Sequence, residues 1–107
     1  MVIMKLYGLR HVNFDYSQMK EKVRSAIGLS EVEDKDIVIH SIDSVSPDGK
    51  GLVEIEIIDY VTCVGTAIDL VKVMGKHIEY CGPDMRNRNK VVVRVSAHNQ
   101  TRIWKSE

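Results

Sequence analysis

The feature that most limits what this chain can fold into is a doubled order of hydrophobic patterns. Val2 to Leu9 is a short apolar run with β-branched and aromatic members, which reads as a strand. It is followed by Tyr16, Met19, Val23, Ala26 and Ile27, which recur at three and four residues and so share one helical face. Asn13 and Asp15 are candidate N-caps, and Gly28 is a stop. A second strand is expected at Ile37-Val38-Ile39-His40-Ser41-Ile42 after the charged connection Ser30 to Lys35. The turn residues Ser46-Pro47-Asp48-Gly49 then restart the cycle. From Leu52 to Tyr60, Val53, Ile55 and Ile57 alternate with Glu54 and Glu56, the pattern of a strand covered on one side. A helical stripe of Ala67, Ile68, Val71, Met74, Gly75 and Ile78 is closed by Gly82-Pro83. The polar loop Asp84 to Asn89 leads to a strand in which Val91, Val93, Val95 and Ala97 alternate with Val92, Arg94 and Ser96.

The order is βαβ, turn, βαβ, with equivalent strands offset by about 51 to 54 residues. Right-handed crossovers make each βαβ a parallel pair with its helix on one face. The expectation is an α+β, βαββαβ domain spanning 1–107, with a four-stranded mixed sheet and two helices on one face. Thr101-Arg102-Ile103-Trp104 is a candidate short terminal strand. The second sheet face, bearing Glu54, Glu56, Arg94 and His40, is too polar for a core and calls for water or a partner subunit.

The length, 107 residues, suits one modest core. No apolar run approaches the roughly 20 residues of a membrane span, and the start is not patterned as a signal peptide, so a cytoplasmic location is the expectation. Cys63 and Cys81 lack metal-site spacing and read as reduced, buried thiols, with one disulfide between them as the alternative. Fifteen basic and fifteen acidic residues leave no net field for nucleic acid or membrane. The charges are nevertheless segregated. Nine acidic residues lie between Glu31 and Asp59 against Lys35 and Lys50, whereas Met85 to Ser106 holds six basic residues and no acidic one. Complementary faces within or between subunits, or an anion-binding edge, would account for this split.

Across nearly its whole length the chain resembles the tautomerase superfamily, which contains 4-oxalocrotonate tautomerase and macrophage migration inhibitory factor. The resemblance is carried by the opening strand Val2 to Leu9, by Asp36-Ile37-Val38-Ile39-His40, and by Val91-Val92-Val93-Arg94 through Asn99 to Trp104. A strand of the type Leu52-Val53-Glu54-Ile55-Glu56 further resembles a branch of small tautomerase-like proteins. The resemblance implies a homotrimer with sheets around a central channel. It also implies an isomerase in which an N-terminal proline, exposed by loss of the initiator methionine, is the base for keto–enol proton transfer. This chain departs from that set. Val2 stands at the proline position, and the pocket's tyrosine and asparagine fall at Val92 and Arg94. A valine amine, were Met1 removed, would start near a pKa of about 7.7–8.0.

The candidate site residues are therefore Val2 as an amine base, with Arg10, Arg94 and Trp104 as ligand contacts. Each has a plainer explanation: a solvated strand end for Arg10, a cross-strand pair with Glu54 or Glu56 for Arg94, and an anchored terminus for Trp104. A small carboxylate is the expected ligand class. No metal and no cofactor are expected, since no two histidines have helical ligand spacing and no phosphate loop or nucleophile elbow occurs. The leading expectation is a tautomerase-like oligomer without proline-dependent activity. The alternatives are a non-catalytic small-ligand or protein-interaction module and a ferredoxin-like RNA-binding domain. The last would separate the two strands of each βαβ half and needs exposed aromatics on its inner strands, whereas the second, third and fourth strands here carry only Tyr60.

Overall fold

A computed structural model describes residues 1–9, 14–28, 32–43, 50–58, 64–79, 90–97 and 100–105. The elements, in chain order, are β1 (Val2–Tyr7), α1 (Tyr16–Ile27), a 3-10 turn at Asp34–Asp36, β2 (Ile37–Ile42), β3 (Gly51–Ile57), α2 (Val64–Glu79), β4 (Val91–Ala97) and β5 (Gln100–Lys105). They build an α+β structure with a five-stranded mixed sheet in the order β2-β1-β3-β4-β5. β1 pairs in parallel with β2, and β3 with β4. The two parallel pairs join through the antiparallel β1–β3 contact, and β5 returns antiparallel along β4.

The sheet thus has five strands, not the expected four. Its last strand, β5, pairs along β4 and carries Trp104 to the helix layer. In register with Val93, Trp104 packs against the core and lies over Gly75 of α2. A β-carbon at Gly75 would sit 2.8 Å or closer to three atoms of the indole, so only glycine admits the ring there.

Alternation along each strand decides the rest. Val2, Met4 and Leu6 of β1, Val53, Ile55 and Ile57 of β3, and Val91, Val93, Val95 and Ala97 of β4 are all buried on one side. They form one core with Met19, Val23 and Ile27 of α1 and Leu70, Val71, Met74 and Ile78 of α2. Each fully buried aliphatic or Met side chain contributes about 1.5–3 kcal/mol of transfer free energy. Leu70, absent from the sequence stripe, is fully buried, and Ile68 is only half-buried.

Of the two candidate N-caps for α1, Asp15 fills the role: its carboxylate accepts from the Gln18 backbone N–H at 3.1 Å. Phe14 and Met19 are buried at the two positions where an apolar staple fixes helix entry. Tyr16, placed on the buried stripe from sequence, is 44% exposed. As the first residue of the helix it lies at the margin of the core, its ring tilted against Phe14 at 6.1 Å. Gly28 closes α1 in the left-handed region at φ 71°, where its N–H caps the Arg24 carbonyl at 3.0 Å. Gly8, at φ 69°, ends β1. β3 stops at Ile57, short of Tyr60. Asn13, Tyr60, Cys63, Cys81, Gly82-Pro83 and the loop Asp84 to Asn89 lie outside the described residues. Among the described residues no helix is long and apolar enough to cross a membrane.

Candidate functional site

With the helices on one side, the odd-numbered residues of β1 and the even-numbered residues of β2, β3 and β4 face the other. The register places them in three rows across the sheet. One row runs Ile42, Tyr7, Leu52, Val92, Lys105. The middle row runs His40, Lys5, Glu54, Arg94, Ile103, and the third runs Val38, Ile3, Glu56, Ser96, Thr101. A charged band is therefore flanked by rows with apolar members. These are the positions at which the sequence alternates polar with apolar, so the same pattern that builds the core also builds this surface.

The band and the row of Ile3, Glu56, Ser96 and Thr101 border an open hollow of about 360 Å³, which Lys5, Glu54 and Arg94 also line. Arg94 donates from Nη2 to the Glu54 carboxylate, so the cross-strand pair is the interaction observed. Both side chains retain solvent contact, 45% and 31%, which limits such a pair to about 1 kcal/mol or less. Ser96 and Thr101 bring their hydroxyls to 3.4 Å. Two cations and two carboxylates share this surface, which suits a zwitterion or a second surface of alternating charge better than a simple anion. A carboxylate reaching Arg94 would have to compete with Glu54.

The sequence candidates do not converge here. Arg94 is on the open face. Val2 is fully buried on the helix side, at the start of β1. With Met1 in place its nitrogen is a peptide N–H. The Met1 ammonium itself donates to the Ile58 carbonyl at 2.8 Å, while the Ile58 N–H donates to the Met1 carbonyl at 2.8 Å. Trp104 is on the helix side, half-buried, across the sheet from Arg94. Arg10 lies outside the described residues. Lys5 was not singled out from sequence. The signal was present, since Met4-Lys5-Leu6 interrupts an apolar run at the residue that alternation turns outward. What sequence could not give was the β1–β3 register that sets Lys5 opposite Glu54.

Two further hollows lie elsewhere. One, of about 500 Å³, runs between the helices, with Lys22, Ser25, Asp69 and Lys72 along it. The other, of about 360 Å³, is bordered by Tyr16 and Lys20 of α1 and by Ile39 and Ser41 of β2. Of the described histidines, His40 is exposed on β2. His77, on α2, has its pKa lowered first by burial and then by the Lys22 ammonium, against the opposing pull of Asp15. No protein-family model, curated protein or solved structure matches this chain.

Proposed function

We propose that this chain is a tautomerase-like homo-oligomer, a trimer in its simplest form, that uses its open sheet face for assembly and small-ligand contact rather than for proline-dependent keto–enol chemistry. The observation that carries the reading is the sheet itself. The two strands of each βαβ half are adjacent, and the face they leave uncovered is a charged band between rows that hold Ile3, Leu52, Val92 and Ile103. A ferredoxin-like domain would interleave the halves, and among the described open-face residues Tyr7 is the one aromatic, so a base-stacking surface has little support.

The chemistry favours loss of the family reaction. A base needs an available nitrogen lone pair, and the residue at the proline position is Val2, whose nitrogen would be an amine only in a chain without Met1. Removing Met1 would free a valine amine of ordinary basicity, but it would also remove both backbone hydrogen bonds to Ile58.

Two measurements on the full chain test the proposal: molar mass by light scattering from 1 to 100 micromolar, and ketonisation of enol phenylpyruvate. The expected result is an assembled species with turnover no greater than buffer. A monomer throughout that range refutes the assembly, and turnover that Lys5→Ala and Arg94→Ala abolish refutes the non-catalytic reading.

A further inference from the structure

Four charged side chains line the hollow on the open face, Lys5, Glu54, Glu56 and Arg94, and their charges sum to zero. They are not all satisfied. Arg94 and Glu54 hold each other across β4 and β3. Among the described residues, Lys5 on β1 and Glu56 on β3 have no hydrogen-bond or ion-pair partner. The register keeps these two apart. Lys5 stands opposite Glu54, whose carboxylate is taken by Arg94, while Glu56 stands between Ile3 and Ser96. Lys5 and Glu56 are therefore diagonal neighbours on an antiparallel pair, about 7–8 Å apart at their β-carbons. Strand side chains stand roughly perpendicular to the sheet, so the ammonium and the carboxylate border one gap. The hollow, at about 360 Å³, falls at the lower end of the size range of small-molecule sites, about 300–1,000 Å³.

We infer that this hollow binds the zwitterion of a small α-amino acid, with its carboxylate on the Lys5 ammonium and its ammonium on the Glu56 carboxylate. This rests on the open-face ligand reading above and names the ligand class. Spacing selects the α-amino acid. A charge-assisted hydrogen bond takes about 2.8 Å at each end, which leaves about 2 Å of the diagonal, the reach of a single carbon joined to nitrogen on one side and carboxyl on the other. The ligand ammonium has three N–H donors, and Ser96 offers a second acceptor beside Glu56. Ser96 Oγ lies 3.4 Å from Thr101 Oγ1, so it can give its own proton to Thr101 and turn a lone pair to the ligand. Arg94 offsets the charge of Glu54, which would otherwise repel a carboxylate arriving at Lys5. A simple carboxylate would satisfy Lys5 and face an unpaired Glu56, and a simple amine would do the reverse. A ligand with both charges at short spacing satisfies the two together.

Backbone-amide NMR of the full chain at low salt tests this, with glycine as the probe against acetate, methylammonium and 6-aminohexanoate at matched ionic strength. Glycine should shift the amides of Lys5, Glu56 and Ser96. Its dissociation constant should be millimolar, since the contacts are solvated, and at least tenfold below that of each other probe. Lys5→Met and Glu56→Gln should each weaken glycine at least tenfold. The exchanged pair Lys5→Glu/Glu56→Lys, which takes the ligand in the reversed sense, should recover most of the binding. The spectra show whether each variant is folded, and for one that is not, the selectivity of wild type among the four probes decides. Glycine that binds no tighter than acetate or methylammonium overturns the inference, as do single variants that bind like wild type or an exchanged pair that binds no better than they do. If acetate alone shifts the hollow, the open-face ligand reading stands and the α-amino acid falls. Silence of the hollow toward all four probes overturns both. Shifts there that follow protein concentration and ignore glycine put a second copy in the hollow and overturn the inference.

Discussion

Replacing Gly75 by alanine tests the packing of α2 against β5 with two opposed forces of known size. In the interior of a helix, glycine to alanine ordinarily stabilises by about 1 kcal/mol. Here the added methyl would lie 2.8 Å or closer to Cδ2, Cε3 and Cζ3 of Trp104, whereas carbon atoms settle about 3.5–4.0 Å apart. Those atoms belong to a rigid fused ring, so relief requires the whole indole, and β5 with it, to move by about 1 Å or more. Overpacking of that kind costs about 1–3 kcal/mol. The net expectation is destabilisation by about 1 kcal/mol, which at a urea slope of about 1.5 kcal/mol/M lowers the midpoint by roughly 0.7 M. In a Trp104→Ala background the clash is gone, and Gly75→Ala should stabilise by about 0.5–1 kcal/mol, so the sign reverses around the cycle. Urea titrations at one fixed protein concentration, with circular dichroism as the signal, measure all four corners. Because Trp104 is the only tryptophan, its emission gives a second readout: a red shift in Gly75→Ala as the ring leaves the helix. A raised midpoint for Gly75→Ala in the wild-type background, or equal shifts in both backgrounds, would refute the placement of β5.

Three further outcomes are expected. Gly28→Ala, at φ 71° with open space around the added carbon, should destabilise by about 1–2 kcal/mol through backbone strain alone, and Gly28→Asn should cost less; chemical denaturation ranks them. Met74→Ala, at a fully buried position between α2 and the sheet, should lose about 2–5 kcal/mol in the same assay. His77 has a lowered folded pKa, so the folded state binds its proton less readily than the unfolded chain; its contribution is fully present above pH 6.5 and is lost as pH falls below that value through the folded pKa. Denaturation of wild type and His77→Gln between pH 5 and 8 should show that slope in wild type and its reduction in the variant.

Most of the architecture was legible because alternation and helical spacing are local. The buried faces of β1, β3 and β4 follow from every second residue, and α1 is bounded by residues whose side chain or backbone performs the cap, Asp15 and Gly28. β5 was less legible, since Thr101 to Trp104 has no clean alternation and its strand state depends on a distant glycine that admits an indole. Leu70 was missed because a helix seated on a sheet and against a second helix buries a wider arc than one stripe. The site was legible only in its parts. Glu54, Arg94 and their alternatives stood out as outward charges, but Lys5 joined them through the non-local β1–β3 register, and Val2 and Trp104 left the group because alternation turns them to the helix side.

The antiparallel contact between β1 and β3 marks a boundary that is continuous in sequence as well as in space. The described elements through Asp43 belong to one parallel pair and its helix, and those from Lys50 belong to the other pair, its helix and the terminal strand. Separately expressed pieces cut between 43 and 50 would each hold a complete crossover unit with an apolar flank awaiting its mate, the arrangement that fragment complementation reporters require.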